Sequence, residues 1–187
     1  MDYIQDALIE ALEHKNLDKI TVKEICDKAN ISRQTLYYHY GSLGDVFISW
    51  YDETITERLV EKDTYLNWVE GFREVLQTCT DHRNVITNVY KSSLKEDFIR
   101  AIDAVGRRYV SKAVDDVSNN LGIPILQVDK EFMVDFYMHV FLGFTIEHIA
   151  QGMVQDPEYI TSRCALMMNS SITLREQVFF ESYTKKK

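Results

Sequence analysis

The chain holds 187 residues, with 21 Lys and Arg against 29 Asp and Glu for a net charge of −8. That length accommodates one large or two small domains, and the acidic balance excludes a general polyanion binder while leaving room for a small DNA-reading face on an acidic body. Three scattered cysteines (Cys26, Cys79, Cys164) point to a reducing, cytoplasmic setting. Asp2, Asp6, Glu10 and Glu13 break any N-terminal leader, and no apolar run reaches the roughly eighteen residues of a membrane-spanning helix.

Two prolines, seven glycines and no alternating strand-like run predict an all-α chain. Met1 to His14 reads as the first helix, with Ile4, Leu8, Ala11 and Leu12 inward. Ile20 to Val46 (ITVKEICDKANISRQTLYYHYGSLGDV) then reads as two short helices around a tight turn, followed at once by a third helix start. Thr21 and Glu24 have the spacing of a capping box, and Val22, Ile25 and Ala29 form one apolar stripe. Asn30 tolerates the left-handed backbone that the turn needs. Ile31 fills the corner, and Ser32 caps a second helix from Arg33 to Tyr38. Leu36 and Tyr40 face inward, leaving Arg33, Gln34, Thr35, Tyr37, Tyr38 and His39 outside. Ser42 and Asp45 make a second capping pattern, opening a longer helix at Leu43.

The outward set suits the DNA major groove. Arg33 can pair bidentately with guanine and Gln34 with adenine. Thr35, Tyr37, Tyr38 and His39, with Thr21, Lys23 and Ser32 at the helix starts, suit phosphate oxygens. The first fifty residues are not basic, holding five Lys and Arg against eight Asp and Glu, but no acid falls between Asp27 and Asp45.

Downstream, Leu43 to about Lys62 reads as a linking helix, followed by helices over Tyr65 to Thr80, Arg83 to Ser92 and Lys95 to Leu121, the last stopped by Gly122 and Pro124. Asp129 to Met153 is strongly apolar, with Phe132, Phe136, Val140, Gly143 and Ile146 along one side. Asp156 and Pro157 open a final helix to about Phe180, and Lys185 to Lys187 read as a solvated tail. The last two helices carry more apolar surface (Phe132, Phe136, Phe141, Phe144, Met167, Met168, Phe179, Phe180) than one small core covers. His139 and His148 stand nine apart, which is not the spacing of a paired metal site, and no metal or cofactor is implied. No GxSxG, HExxH, CxxC or Gly-rich phosphate loop supports an enzyme.

On the residues Thr21, Val22, Ile25, Ala29, Ile31, Ser32, Thr35, Leu36, Tyr37, His39 and Tyr40, the chain resembles the TetR family of transcriptional regulators. Lys19 to Tyr40 with Asp45, Val46 and Trp50 is most similar to the group around the dihydroxyacetone kinase operon regulator. The resemblance implies an N-terminal three-helix helix-turn-helix DNA-binding domain (1–45) and a C-terminal helical ligand-binding and dimerisation domain (46–187). It also implies a homodimer joined through the last two helices, here Phe132, Phe136, Val140, Gly143, Met167 and Met168, reading palindromic double-stranded DNA with two recognition helices ~34 Å apart. A small-molecule effector or a protein coactivator would act on the second domain, where Trp68, Phe72, Tyr90, Phe98, Tyr109 and Tyr137 are candidate lining residues. Two departures stand out: Asn30 replaces the turn glycine, and Leu43 replaces a phosphate-touching lysine. With no basic arm ahead of the first helix, they leave one alternative, a helical protein-interaction module that has lost DNA affinity.

Overall fold

The computed structural model describes residues 3–60, 68–122 and 124–168, apart from the side chain of Leu121. The regular elements among the described residues are all helices, with no strand among them. The helices are α1 (Tyr3–Leu12), α2 (Val22–Ala29), α3 (Arg33–His39), α4 (Leu43–Leu59), α5 (Trp68–Asp81), α6 (Arg83–Tyr90), α7 (Lys95–Leu121) and α8 (Gln127–Ala150), followed by a helix α9 over 157–168. A short 3-10 turn, Leu17–Lys19, lies between α1 and α2.

Each expected helix is present over the described part of its range, and the ends follow local chemistry. The Gly122 backbone is left-handed, with φ 63°, and ends α7 where the glycine and Pro124 predict. The Asp156 carboxylate accepts the Glu158 N–H at 2.9 Å and caps α9. The eighth helix begins two residues before the expected Asp129, because the Leu126 carbonyl already accepts the Lys130 N–H at 2.9 Å. The expected stretches 61–67 and 169–187, including Phe179, Phe180 and the lysine tail, lie outside the described residues.

The main core runs without a break from α1 to the end of α8. Ile4, Leu8 and Leu12 of α1 meet Ile25 of α2, Leu36 of α3 and Val46, Phe47 and Tyr51 of α4. The same cluster continues into Val85, Ile86 and Val89 of α6, Phe98 and Ile102 of α7, and Ile149 and Met153. Phe98 stands edge-on to both Phe47 and Tyr51, with ring centroids 5.1 Å apart in each case. A second cluster joins Phe72 and Leu76 of α5 to Ile160, Cys164 and Met168 of α9. Val114, Val134 and Met138 form a third between α7 and α8.

The corner between α6 and α7 is tied to the N-terminal helices by polar contacts. The Asp18 carboxylate accepts the Ser93 backbone N–H at 3.1 Å and its hydroxyl at 2.7 Å. Asn16 donates to the Lys91 carbonyl at 3.0 Å, and Asn88 donates to the Leu12 carbonyl at 2.8 Å. Gly44, in the first turn of α4, lets Leu94 approach so closely that a Cβ there would lie 2.7 Å from the leucine Cδ1.

His148 shows how the core disfavours charge. Thr80 donates its hydroxyl to the Leu76 carbonyl at 3.0 Å, so its oxygen is left to accept from His148 Nε2, also at 3.0 Å. His148 Nδ1 is then a buried acceptor with no partner among the described residues. Burial lowers the His148 pKa, and the positive charge of Arg83 adds to the effect. His82 shifts in the same direction, by burial and the nearness of Arg58. A folded-state pKa below the unfolded one means that the unfolded chain takes up the proton first. The contribution of these two histidines is therefore level above about pH 7 and falls as pH drops through about 6.5. Melting temperatures at about pH 7.5 and 5.5 should show this loss in the native chain and a smaller loss in His148→Gln; equal losses would contradict the assignment.

Candidate nucleic-acid interface

The helix-turn-helix is assembled from three caps and one turn. Thr21 Oγ1 accepts the Glu24 N–H at 3.2 Å and starts α2. The Glu24 carboxylate lies 2.6 Å from Lys15 Nζ. Its pKa is lowered chiefly by the hydrogen bond to Lys15 and further by the Thr21 backbone N–H, against the opposing effect of desolvation. At the end of α2, Asn30 adopts φ 54° and ψ 46°. Its N–H bonds the Asp27 carbonyl at 3.4 Å, and the Ile31 N–H bonds the Cys26 carbonyl at 3.0 Å. This paired pattern is a Schellman turn, with asparagine in the left-handed position. Ser32 Oγ then accepts the Thr35 N–H at 3.0 Å and starts α3.

Only Leu36 of α3 is buried, and it anchors the helix in the main core. The half-buried Tyr40 follows as the C-cap, its N–H donating to the Leu36 carbonyl at 2.8 Å. Behind it lies a residue that the sequence analysis passed over. Gln5 of α1 is buried, and its side-chain amide reaches Glu53 Oε1 of α4 at 3.1 Å, with Tyr40 Oη at 3.5 Å. Ser49 donates to the same Glu53 oxygen at 2.8 Å. The available signal was position: Gln5 shares a helix face with Leu8 and Leu12 at i+3 and i+7.

All six outward residues of α3 are exposed: Arg33, Gln34, Thr35, Tyr37, Tyr38 and His39. Tyr38 is 84% exposed and Tyr37 54%. Arg33 and Tyr37, like Gln34 and Tyr38, stand four apart and so form adjacent rows on one surface. The Tyr38 and His39 rings meet edge-on at 5.1 Å. Thr21, Lys23 and Ser32 are exposed at the neighbouring helix starts. The Ser32 and Thr35 hydroxyls lie 2.9 Å apart and so stabilise the cap as well as facing outward. Lys28 pairs with Glu10 at 2.7 Å, as Lys15 does with Glu24, so two of the nearby acids are locally balanced. Lys23 and Arg33 enter no ion pair with another described residue. Leu43 is buried in the main core and offers nothing to a ligand.

In the second domain, α4, α5, α7 and α8 line a partly open cavity of about 100 Å³. Trp68, Phe72 and Tyr109 line it as the sequence suggested, whereas Tyr90, Phe98 and Tyr137 do not. Phe98 is locked between Phe47 and Tyr51 in the main core. Tyr90 lies under Lys95 Nζ, 4.6 Å from the ring centre, and Tyr137 stacks on Phe141 at 6.2 Å beside the second cluster. Tyr51, Val105, Met138 and Thr145 line the cavity unforeseen. Their burial looks the same in sequence whether the space next to them is filled or empty.

On the outer surface of α8, Phe132 is 68% exposed, Phe136, Gly143 and Phe144 are exposed, and Val140 is half-buried. Met167 of α9 is also exposed. Met168 departs from the expected surface: it turns inward, because α9 packs it against Phe72 and Leu76 of the same chain.

Residues 4–48 match the family model described as bacterial regulatory proteins of the tetR family, and residues 66–170 match one described as a transcriptional regulator C-terminal region. No curated protein matches the chain. Among solved structures, the dihydroxyacetone kinase operon activator DhaS is similar over 92% of this chain and 95% of its own, at TM-score 0.71 and 16% identity. The fatty acid degradation regulator FadR from Bacillus halodurans gives TM-score 0.59 at 14% identity, covering 87% of this chain and 90% of its own. A TetR transcriptional regulator from Rhodococcus sp. RHA1 gives TM-score 0.55 at 18% identity, covering 87% and 92%.

The turn and the cap make separable contributions to placing α3. Asn30→Gly should be neutral within a few tenths of a kcal/mol, whereas Asn30→Ala should cost about 1–2 kcal/mol through its left-handed backbone. Ser32→Ala should cost about 1 kcal/mol. Urea unfolding reads all three, and an Asn30→Ala variant as stable as Asn30→Gly would contradict the turn assignment.

Proposed function

The chain belongs to the TetR family of DNA-binding transcriptional regulators, and from that premise we propose that it reads a palindromic operator as a homodimer, with the exposed face of α3 in the major groove. The observation that carries this reading is the α3 surface itself: six outward polar and aromatic residues on a helix pinned by Leu36, in a stretch free of acid from Lys28 to Gly44. Arg33 and Gln34 read base edges. Tyr37 and His39 hold phosphates, with Thr21, Lys23, Ser32, Thr35 and Tyr38 completing the backbone contacts.

The dimer forms through the exposed apolar stripe of α8, at Phe132, Phe136, Val140 and Gly143, together with Met167 of α9. Two-fold symmetry then sets the two recognition helices about one DNA turn, ~34 Å, apart. A small-molecule effector occupies the cavity between α4, α5, α7 and α8. It gates DNA binding by favouring one placement of α7, and the corner that leads into α7 is fastened to the N-terminal domain through Asp18 and Gly44. The presence of this apolar cavity favours a small molecule over a protein coactivator. The regulators of this family are generally non-enzymatic, and we assign no catalytic role to this chain. No helix among the described residues is long and apolar enough to cross a membrane, which accords with action on DNA in the cytoplasm.

A helical module without DNA affinity is not favoured. Leu43, which suggested that alternative by the cation it lacks, is a core residue, and the α3 face keeps a full set of groove-reading side chains.

Binding selection from random duplex DNA should yield a palindrome, and its affinity should fall steeply with salt, by about 0.9 in log–log slope per phosphate neutralised. On that duplex and its single-base variants, Arg33→Ala should relax preference at one position per half-site by ~1–3 kcal/mol. Tyr37→Phe should weaken all sites alike. Two variants that lower affinity equally on every sequence would contradict the division between base and phosphate contacts.

A further inference from the structure

We propose that the cavity selects a neutral, apolar molecule about the size of one six-membered ring, and that Gly106 and Met138 set its size limit. This rests on the reading of the cavity as the effector site. None of the described side chains that line it is charged. The Thr145 hydroxyl donates to the Phe141 carbonyl at 2.8 Å, and the other described lining residues with a polar side-chain group are Tyr51, Tyr109 and Trp68. A carboxylate or phosphate entering this space would lose its hydration with no cation to replace it. A polyol would lose several hydrogen bonds and regain at most a few. An apolar molecule exchanges water for aliphatic and aromatic walls, the favourable direction.

Volume narrows the class further. An apolar cavity of ~150 Å³ admits benzene; the cavity here is about 100 Å³ and partly open, so it takes one small ring with part of it at the mouth. Long acyl chains and nucleotide conjugates exceed that volume.

The size limit lies where α7 and α8 cross. A Cβ on Gly106 would sit 2.6 Å from Met138 Cε and 2.9 Å from its Sδ. The thioether end would have to move, and the cavity is the open space that Met138 borders. An alanine at 106 therefore fills the cavity from within by displacing Met138. It does so without weakening α7, since alanine favours helix over glycine.

Calorimetric titration of the full chain with toluene, sodium benzoate and glycerol tests this. Toluene should bind one site per chain, and benzoate and glycerol should bind about a hundredfold more weakly or not at all. Gly106→Ala should weaken toluene by about tenfold or more with an unchanged or raised melting temperature, and adding Met138→Ala to that variant should restore binding. Benzoate or glycerol binding as tightly as toluene, toluene affinity unchanged in Gly106→Ala, or no binding of any probe to a folded chain would each overturn the inference. Affinity for the selected duplex, measured on the same samples, separates this from the regulatory reading. Toluene that binds the cavity but leaves DNA affinity unchanged removes the gating role and leaves the ligand class standing. Absent toluene binding with DNA binding intact removes the ligand class alone.

Discussion

The carboxylate of Asp18 fixes the relation between the two ends of this molecule. It takes the Ser93 amide and hydroxyl at the corner that leads into α7, while Leu94 closes over the bare backbone of Gly44. Asp18 belongs to the short connection ahead of α2, and Gly44 begins the helix that follows α3. The recognition element is therefore held from both sides by the element that forms one wall of the cavity. Seven-residue helices have little stability of their own. With only Leu36 buried, α3 has a defined position because α1, α2 and α4 are themselves fixed by this corner and by the core beneath it.

That core also explains how an acidic chain can carry a DNA-reading face. Net charge acts over distances that physiological salt screens within about 8 Å, so what matters is the balance close to α3. There Glu10 and Glu24 are paired with lysines, and the next acids flank the element at Asp27 and Asp45. Asp45 is engaged with the Ser42 hydroxyl at the start of α4. The charge of the body is kept away from the contact face by local pairing and by sequence position.

Local chemistry made the helix-turn-helix legible. The Thr21, Ser32 and Ser42 caps, the Asn30 turn and the Leu36 anchor each depend on a few neighbouring residues, and each is found where the sequence places it. The end of α7 at Gly122 is legible for the same reason. Long-range packing was not. Trp68, Phe98 and Tyr137 are equally apolar in sequence, yet one lines the cavity, one fills the core and one stacks beside the second cluster. Met168 next to Met167 likewise turned on the rotation of α9, a quantity set by Phe72 and Leu76 about a hundred residues earlier. Gln5 and the Asp18–Ser93 tie escaped notice because single polar residues carry no periodic signal when their partners are distant.

The central claim is that α3 and the cavity wall are mechanically one unit, joined at Asp18. Amide hydrogen exchange of the native chain and of Asp18→Ala tests it directly. The account predicts that protection falls together at the first turn of α7, reported by the Phe98 N–H bonded to the Leu94 carbonyl, and in α3, reported by the Leu36 and Tyr40 N–H groups. If the first turn of α7 opened in Asp18→Ala while α3 kept its full protection, the two sites would be independent and the account would be contradicted.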